Sequence, residues 1–381
     1  MAAFPVPTCG EMTIFIGGPG RGESTVVVFP DGKCMVVDVW ARRGFNFPLE
    51  ICQQCGIERV DLAVLTHPDH DHIRGFPELA DTLDIERVWR YPPGTIRDVL
   101  SAVCRKLPDN SRLQELRDSL EVVDELARRN RLIDADIETA SWPRGESAYE
   151  AHCIAPCPAD KAPFYERVNS LVEVGATGVR LSERGRAFFE GRNRYIDLRA
   201  NALSLAVVIE WEGYRILLAG DVEAPNEPYR GWNGIIHYLE EDGRSHLITS
   251  LKGIKVAHHG SGAVDGDDGA FSAAAWELHT EDGPIDFGLI TPYRMGGSAP
   301  PQTFTLKALL DRIKDLGVTA SAEAHGWSRV LNSGWRETSV EPLPNLGDTR
   351  WGKNYLAVVM DAKGDIQRYA SEEAKFFRSS Y

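Results

Sequence analysis

The stretch Thr66 to His72 constrains this chain more than any other. Histidines at 67, 70 and 72 and aspartates at 69 and 71 crowd one short segment directly after the apolar run Val60 to Leu65. A run of that length and β-branched content predicts a buried strand, so the cluster falls on the loop at its C-terminal end. Layered α/β proteins place ligand sites there. Charge and imidazole packed beside a core strand must be paired, hydrated or given a cation. Nitrogen and carboxylate donors together suit zinc, manganese or iron at a centre with an open position. A metal site at a sheet edge is the first expectation.

Composition limits the partners. With 381 residues the chain can bury a substantial core, as one large domain or two. No stretch approaches the roughly 20 apolar residues of a membrane span, and Met1 to Gly10 lacks a basic region followed by an apolar one. A soluble cytoplasmic protein without a membrane partner is expected. Seven scattered cysteines point to reduced thiols, not a disulfide framework. The net charge of −14 argues against coating a duplex through a broad basic surface. It leaves room for an anionic substrate, because bound divalent cations reverse the local field. Arg180, Arg184, Arg186, Arg192, Arg194 and Arg199 against only Glu183, Glu190 and Asp197 make residues 175–200 locally basic.

Strand candidates are Met12 to Ile16, Ser24 to Phe29 and Cys34 to Val39, followed by a helix from Phe47 to Cys55 with Pro48 near its start and Gly56 at its end. From about 95 to 199 the pattern changes. Asp109-Asn110-Ser111 offers an N-cap for a helix with an apolar stripe at Leu113, Leu116, Leu120, Val123 and Leu126. This part reads as a largely helical insertion or cap. Strands return at Leu203 to Trp211 and Tyr214 to Leu218, ending in Ala219-Gly220-Asp221. Gly253 to Ala257 ends in His258-His259-Gly260-Ser261, and Phe287 to Ile290 precedes a helix from Thr303 to Leu316. A last hairpin spans Tyr355 to Met360 and Ile366 to Tyr369. Three strands thus end in ligand-capable residues, as one site at a sheet edge requires.

The order His67-x-Asp69-x-Asp71-His72, then Asp221 after an apolar strand, then His258-His259-Gly260-Ser261, resembles the metallo-β-lactamase-fold hydrolases. Within them it is most similar to the soluble hydrolase domain of ComEC-type competence proteins, through Thr66 to His72, Leu218 to Asp221 and Lys255 to Ser261. Weaker matches are the turn Gly20 to Ser24, the strand end Val36-Val37-Asp38, Asn201-x-x-Ser204 and the ending near Gly364. The resemblance implies a four-layer αβ/βα sandwich, with residues 1–94 and 200–381 as its halves and 95–199 inserted between them.

It also implies two divalent metal ions, zinc or manganese. His67 and Asp69 would hold one, Asp71 and His72 the other, with Asp221 bridging and His259 as the last ligand. His258 would face substrate or support the ligands, and His70 holds a variable position. Where the superfamily usually supplies another histidine, this chain offers Asn201 and Ser204, and oxygen donors favour harder ions such as manganese. Where many relatives carry His-Pro before the late helix, it has Ala299-Pro300-Pro301.

The implied activity is hydrolysis of a phosphodiester, in single-stranded nucleic acid or a nucleotide, by water acidified between two cations. Asp71 or His258 would pass a proton to the leaving group. Asn201, Ser204 and Arg199 would contact substrate. The rival enzyme reading is lactone, amide or thioester hydrolysis. A different class is a binding or signalling module that docks a protein partner through the insertion. Cys52-x-x-Cys55, on a helix, reads as ordinary half-buried thiols, and Cys153 and Cys157 are the other pair close in sequence. Gly17-Gly18-Pro19-Gly20 reads as a turn, without the helix and lysine of a nucleotide loop.

Overall fold

A computed structural model describes residues 4–18, 22–42, 44–90, 111–138, 140–143, 145–175, 178–183, 185, 200–261, 269–293, 301, 303–320, 335–347 and 350–379. Their architecture is mixed α/β, with two large sheets and flanking helices. The first sheet runs, in spatial order, Leu132–Asp134, Val88–Arg90, Leu62–Leu65, Cys34–Val37, Ser24–Val28, Glu11–Gly17, Tyr355–Asp361, Ile366–Ala370 and Glu341–Pro342. The second runs Ser141–Trp142, Tyr149–Cys153, Val207–Trp211, Tyr214–Leu218, Gly253–Lys255, Ile285–Ile290, Ile313–Val318, Lys375–Ser379 and Trp335–Glu337.

Side-chain alternation builds the layers. Along Val207–Trp211 and Tyr214–Leu218, residues Val207, Ile209, Trp211, Ile216 and Leu218 pack into the core shared with the first sheet. Their neighbours Val208, Leu217 and Ala219 face the other way, into a core closed by Trp232, Ile235 and Leu239 of the helix Gly231–Glu241 and by Leu306 and Leu309 of Thr303–Arg312. A period of two does this because successive side chains point to opposite faces. In the first sheet, Cys34–Val37 and Leu62–Leu65 are buried on both faces, which explains their uninterrupted apolar sequence. The helix Phe47–Cys55 forms where expected. Asn46 caps it by accepting from the Leu49 N–H at 3.3 Å, and Gly56 closes it at φ 67°.

Parallel pairing positions the site. Cys34–Val37, Leu62–Leu65 and Val88–Arg90 are parallel neighbours. So are Tyr214–Leu218, Gly253–Lys255, Ile285–Ile290 and Ile313–Val318. Their C-terminal ends therefore lie along one edge of each sheet.

Several expectations need correction. The late helix stops at Arg312, and Ile313–Val318 is a strand. Ile313, Leu316 and Val318 are buried there, and Asp315 takes a forked pair of hydrogen bonds from Arg378 at 2.7 and 2.8 Å. Those partners are distant in sequence and override the helical pattern. Lys375–Ser379 adds a strand the pattern did not suggest. Ala200–Leu203 is a 3-10 turn, so the strand expected from Leu203 begins at Val207.

The segment expected as a largely helical insertion, 95–199, does hold the helices Ser111–Arg128 and Pro158–Leu171. It also feeds strands into both sheets. Leu132–Asp134 pairs with Val88–Arg90, and Tyr149–Cys153 pairs with Val207–Trp211. Of the predicted stripe, Leu120, Val123 and Leu126 are buried. The cap candidates Asp109 and Asn110 and the side chains of Leu113 and Leu116 lie outside the described residues. No helix among the described residues is long and apolar enough to cross a membrane.

Candidate metal centre

The side chains of the centre arrive on segments that follow or flank strand ends, with Asp71 and His72 on the short helix His70–Ile73. Asp38 follows Cys34–Val37 with φ 57°, a left-handed conformation uncommon outside glycine. Its carboxylate accepts from the Thr66 N–H and hydroxyl, both at 2.8 Å, and from His72 Nδ1 at 2.7 Å. The Thr66 hydroxyl, having donated to Asp38, accepts from His67 Nδ1 at 2.9 Å. From the second sheet, His259 Nδ1 donates to the Thr291 carbonyl at 2.7 Å. All three imidazoles are thus tied at Nδ1 and present Nε2 inward. His72 Nε2 lies 3.5 Å and His259 Nε2 4.0 Å from Asp221 Oδ2, and His67 Nε2 lies 3.7 Å from Asp69 Oδ2.

Four overlapping groups emerge among the described residues, two of them built on Glu23, with Asp38 and His72 or with Asp221 and His259. One donor atom each from His67, His72 and Asp221 lies within 4.8 Å of the others, and the same holds for Asp71, His72 and His259. His67, His72, Asp221 and His259 are buried, Asp71 is half-buried, and the Asp69 side chain is 46% exposed. His67 Nε2 and Asp221 Oδ1 are buried with no hydrogen-bond partner among the described residues. Such atoms are costly unless a cation or water takes them. The residues therefore fit the divalent ions the fold implies.

Electrostatics points the same way. Burial and the neighbouring His72 push the His67 pKa down, yet Asp69 and Asp221 outweigh them and raise it. Burial likewise opposes protonation of His72, but Asp221 and Asp38 hold its pKa well above the usual histidine value. At Asp221 the loss of water is overcome by His72 and His259, and its pKa falls well below the carboxylate range. Burial lowers the His259 pKa, with Lys255 and His72 adding to it against Asp221 and Glu23. Carboxylates that raise buried histidines call for positive charge, and divalent cations meet that demand.

A supporting shell lies behind these residues. Glu23 and Lys255, both buried, form an ion pair, and Lys255 also donates to the Gly220 carbonyl at 3.0 Å and stands 3.9 Å from Asp221 Oδ1. Glu23 accepts from the Thr291 hydroxyl and lies 3.4 Å from His259 Nδ1. Glu23, Asp38, Lys255 and Thr291 were not singled out as site residues from the sequence. The available signal was the position of Glu23 in the turn before Ser24 and of Asp38 at the end of an apolar strand.

The remaining expected residues separate. Ser204 is buried, and its hydroxyl accepts the Asp221 N–H at 2.9 Å. It braces the Asp221 backbone. Asn201 and His258 do stand together at the rim. Asn201 Nδ2 lies 3.2 Å from His258 Nε2 and donates to Glu223 at 3.1 Å, while His258 Nδ1 is 3.2 Å from Glu223. Both His258 and His259 have positive φ, 44° and 53°, and their ring centroids lie 6.5 Å apart. Only His259 joins the cluster of donors among the described residues.

Arg199 lies outside the described residues, as do Arg184, Arg186, Arg192 and Arg194 and also Ala299 and Pro300. Arg180 is exposed and paired with Glu173 at 2.9 Å. The described cysteines, 9, 34, 52, 55, 153 and 157, are free thiols. Burial pushes Cys55, Cys153 and Cys157 up to about 12, so they are protonated thiols at neutral pH.

Residues 17–120 match the model of the metallo-beta-lactamase superfamily, a span that includes Glu23, Asp38, His67, Asp69, Asp71 and His72. The match is confined to that span, and the two helix-flanked sheets are consistent with the superfamily's fold. A search of curated proteins gives no match. Among solved structures, the chain is similar to the metallo-beta-lactamase fold protein YhfI from Bacillus subtilis, at 10% identity and TM-score 0.40, over 81% of this chain and 95% of that one. It is also similar to a variant of CmlA beta-hydroxylase, at 14% identity and TM-score 0.31, over 84% of this chain and 44% of that one. A third is the hydrolase AbOPH in the beta lactamase superfamily, at 11% identity and TM-score 0.30, over 52% and 55%.

Proposed function

We propose that this chain is a dinuclear metal-dependent hydrolase of phosphodiesters, acting on single-stranded nucleic acid or a nucleotide. The observation that carries the reading is the set of three imidazoles, each tied at Nδ1, whose Nε2 atoms turn toward Asp221 beside Asp69 and Asp71. His67 and Asp69 would hold one ion, Asp71, His72 and His259 the other, and Asp221 would bridge them. Two divalent ions, zinc or manganese, would supply Lewis-acid polarisation and a water acidified toward neutrality.

The chain's own residues do the rest. Ser204 holds the Asp221 backbone N–H, Lys255 stands 3.9 Å from the Asp221 carboxylate, Asp38 fixes His72, and Thr291 fixes His259. His258, 25% exposed and held by Asn201 and Glu223, would pass a proton to a leaving oxygen, with Asp71 as the other donor. The preference for phosphodiesters rests on the ComEC-type motifs Thr66 to His72, Leu218 to Asp221 and Lys255 to Ser261 and on the basic segment 175–200. A soluble cytoplasmic setting fits the composition.

The test is a substrate panel on protein stripped and reloaded with zinc or manganese. Single-stranded DNA, RNA, cyclic nucleotides and a chromogenic phosphodiester are compared with a lactone, an amide and a thioester. Metal-dependent phosphodiester turnover is expected, lost in Asp221→Asn. Ester turnover without phosphodiester turnover rejects the substrate assignment.

A further inference from the structure

The chain that supplies Asp38 to the centre continues through Val39 and Trp40 to Arg42, in the short hairpin Ala41–Arg42 with Phe45–Asn46. This segment is anchored to the metal motif. Val39 N–H donates to the His72 carbonyl at 2.6 Å, and Trp40 N–H donates to the Ser24 hydroxyl at 2.6 Å. Gly22, at φ 83°, lies between the Trp40 indole and the Asp71 carbonyl, and a Cβ there would collide with both. On its other side Trp40 meets Trp351 edge-on, with centroids 6.0 Å apart and planes at 77°. The Arg42 guanidinium lies over the Trp351 ring, 4.5 Å from its centroid.

Trp351 stands on the 3-10 turn Arg350–Lys353, just before the strand whose first residue, Tyr355, pairs with Gly17. Gly17 is the end of its strand at the edge where the metal ligands gather. The turn is tightly held. Leu346 N–H donates to the Gly352 carbonyl at 3.0 Å, and Gly352 packs so close to Leu346 that no side chain fits there. Trp40 is buried, whereas Arg42 and Trp351 are only partly so and reach solvent.

A guanidinium over an indole is common as plain surface packing. This one is continuous through Trp40 with the Asp71 loop, sits on the metal-bearing edge and is held on a rigid turn. From that juxtaposition we infer that Arg42 and Trp351 form a platform for the base of a nucleotide whose phosphodiester lies at the metal centre. The inference rests on the phosphodiesterase reading above and narrows its substrate to nucleotides with an unpaired base. Bases stack on aromatic rings and on guanidinium planes whatever their sequence. A guanidinium also attracts the adjoining phosphate, which gives a chain of net charge −14 a local hold on a polyanion.

Equilibrium binding of the metal-loaded protein decides the matter. A fluorescent phosphorothioate oligothymidylate, resistant to hydrolysis, is compared by anisotropy with an abasic strand of equal length. The wild type is expected to bind the base-bearing strand about tenfold more tightly. Trp351→Ala and Arg42→Ala should each remove that preference, and Trp351→Phe should keep most of it. Equal binding of the two strands by wild type, no binding of either, or a preference that survives both alanine substitutions overturns the platform. Should Trp351→Ala fail to fold, Arg42→Gln gives the same comparison. Because the readout is binding, a failure of hydrolysis in the substrate panel is distinguishable from a failure here.

Discussion

Asp38 shows how much a single residue organises in this protein. One carboxylate fixes the backbone and hydroxyl of Thr66 and the Nδ1 of His72, so it sets both the start of the metal motif and the tautomer of a ligand. Asp38→Ala should lower metal affinity about 10–100-fold, the usual cost of losing such a partner. Titration against a chromophoric chelator measures it, and an unchanged affinity would refute the role. Far from the centre, His279 is wholly buried, its Nδ1 donating to the Ile248 carbonyl at 2.8 Å among Trp232, Phe271 and Trp276. Burial depresses its pKa to about 4, against 6.5 for the free group. The folded chain therefore keeps it neutral while the unfolded chain takes up a proton. Its contribution to stability is fully present above pH 6.5 and is lost as pH falls toward 4, by about 3 kcal/mol at the limit. His279→Gln should flatten that part of the stability profile, read from denaturant midpoints between pH 7 and 4.5. Parallel profiles for the two proteins would disprove the assignment.

At the scale of elements, the helix Ser111–Arg128 is the outer support of the motif. Ser119 donates to the Ile73 carbonyl at 3.1 Å, so this helix holds the short helix His70–Ile73 that carries Asp71 and His72. Tyr149–Cys153 gives Val207–Trp211 its outer partner along five paired positions, leading toward the strand end of Asp221. Replacing residues 95–199 by a short flexible linker should therefore abolish cooperative thermal unfolding and metal binding together. Differential scanning calorimetry and metal analysis of the shortened chain check this. A sharp transition with both ions retained would show that the sheets and the centre form without that segment. The strand Ile313–Val318 carries the same lesson. Its sequence permits helix, and pairing with Ile285–Ile290 and the arginine fork on Asp315 decide for strand.

At the scale of the whole molecule, the two sheets meet through the centre. Glu23, Asp38, His67, Asp71 and His72 come from the first sheet, and Asp221, Lys255, His259 and Thr291 from the second. Ions shared between them should stabilise the assembled fold by about 2.7 kcal/mol per site at a hundredfold excess over Kd. The melting temperature should rise on adding zinc or manganese and fall on chelation. A melting curve indifferent to both would count against a shared centre. Sequence by itself singled out the candidate donors and their nearness to strand ends, since a two-residue period and the run Thr66 to His72 are local patterns. It also located Asp221 and the His258-His259 pair. Tertiary structure alone decided that Glu23 reaches Lys255 across 232 positions and that Ser204 braces Asp221. It likewise decided which of two adjacent histidines turns inward, and that residues 132–153 complete both sheets. Periodicity reports which face of an element is apolar. Which distant element covers that face depends on strand pairing and packing, which the linear pattern does not encode.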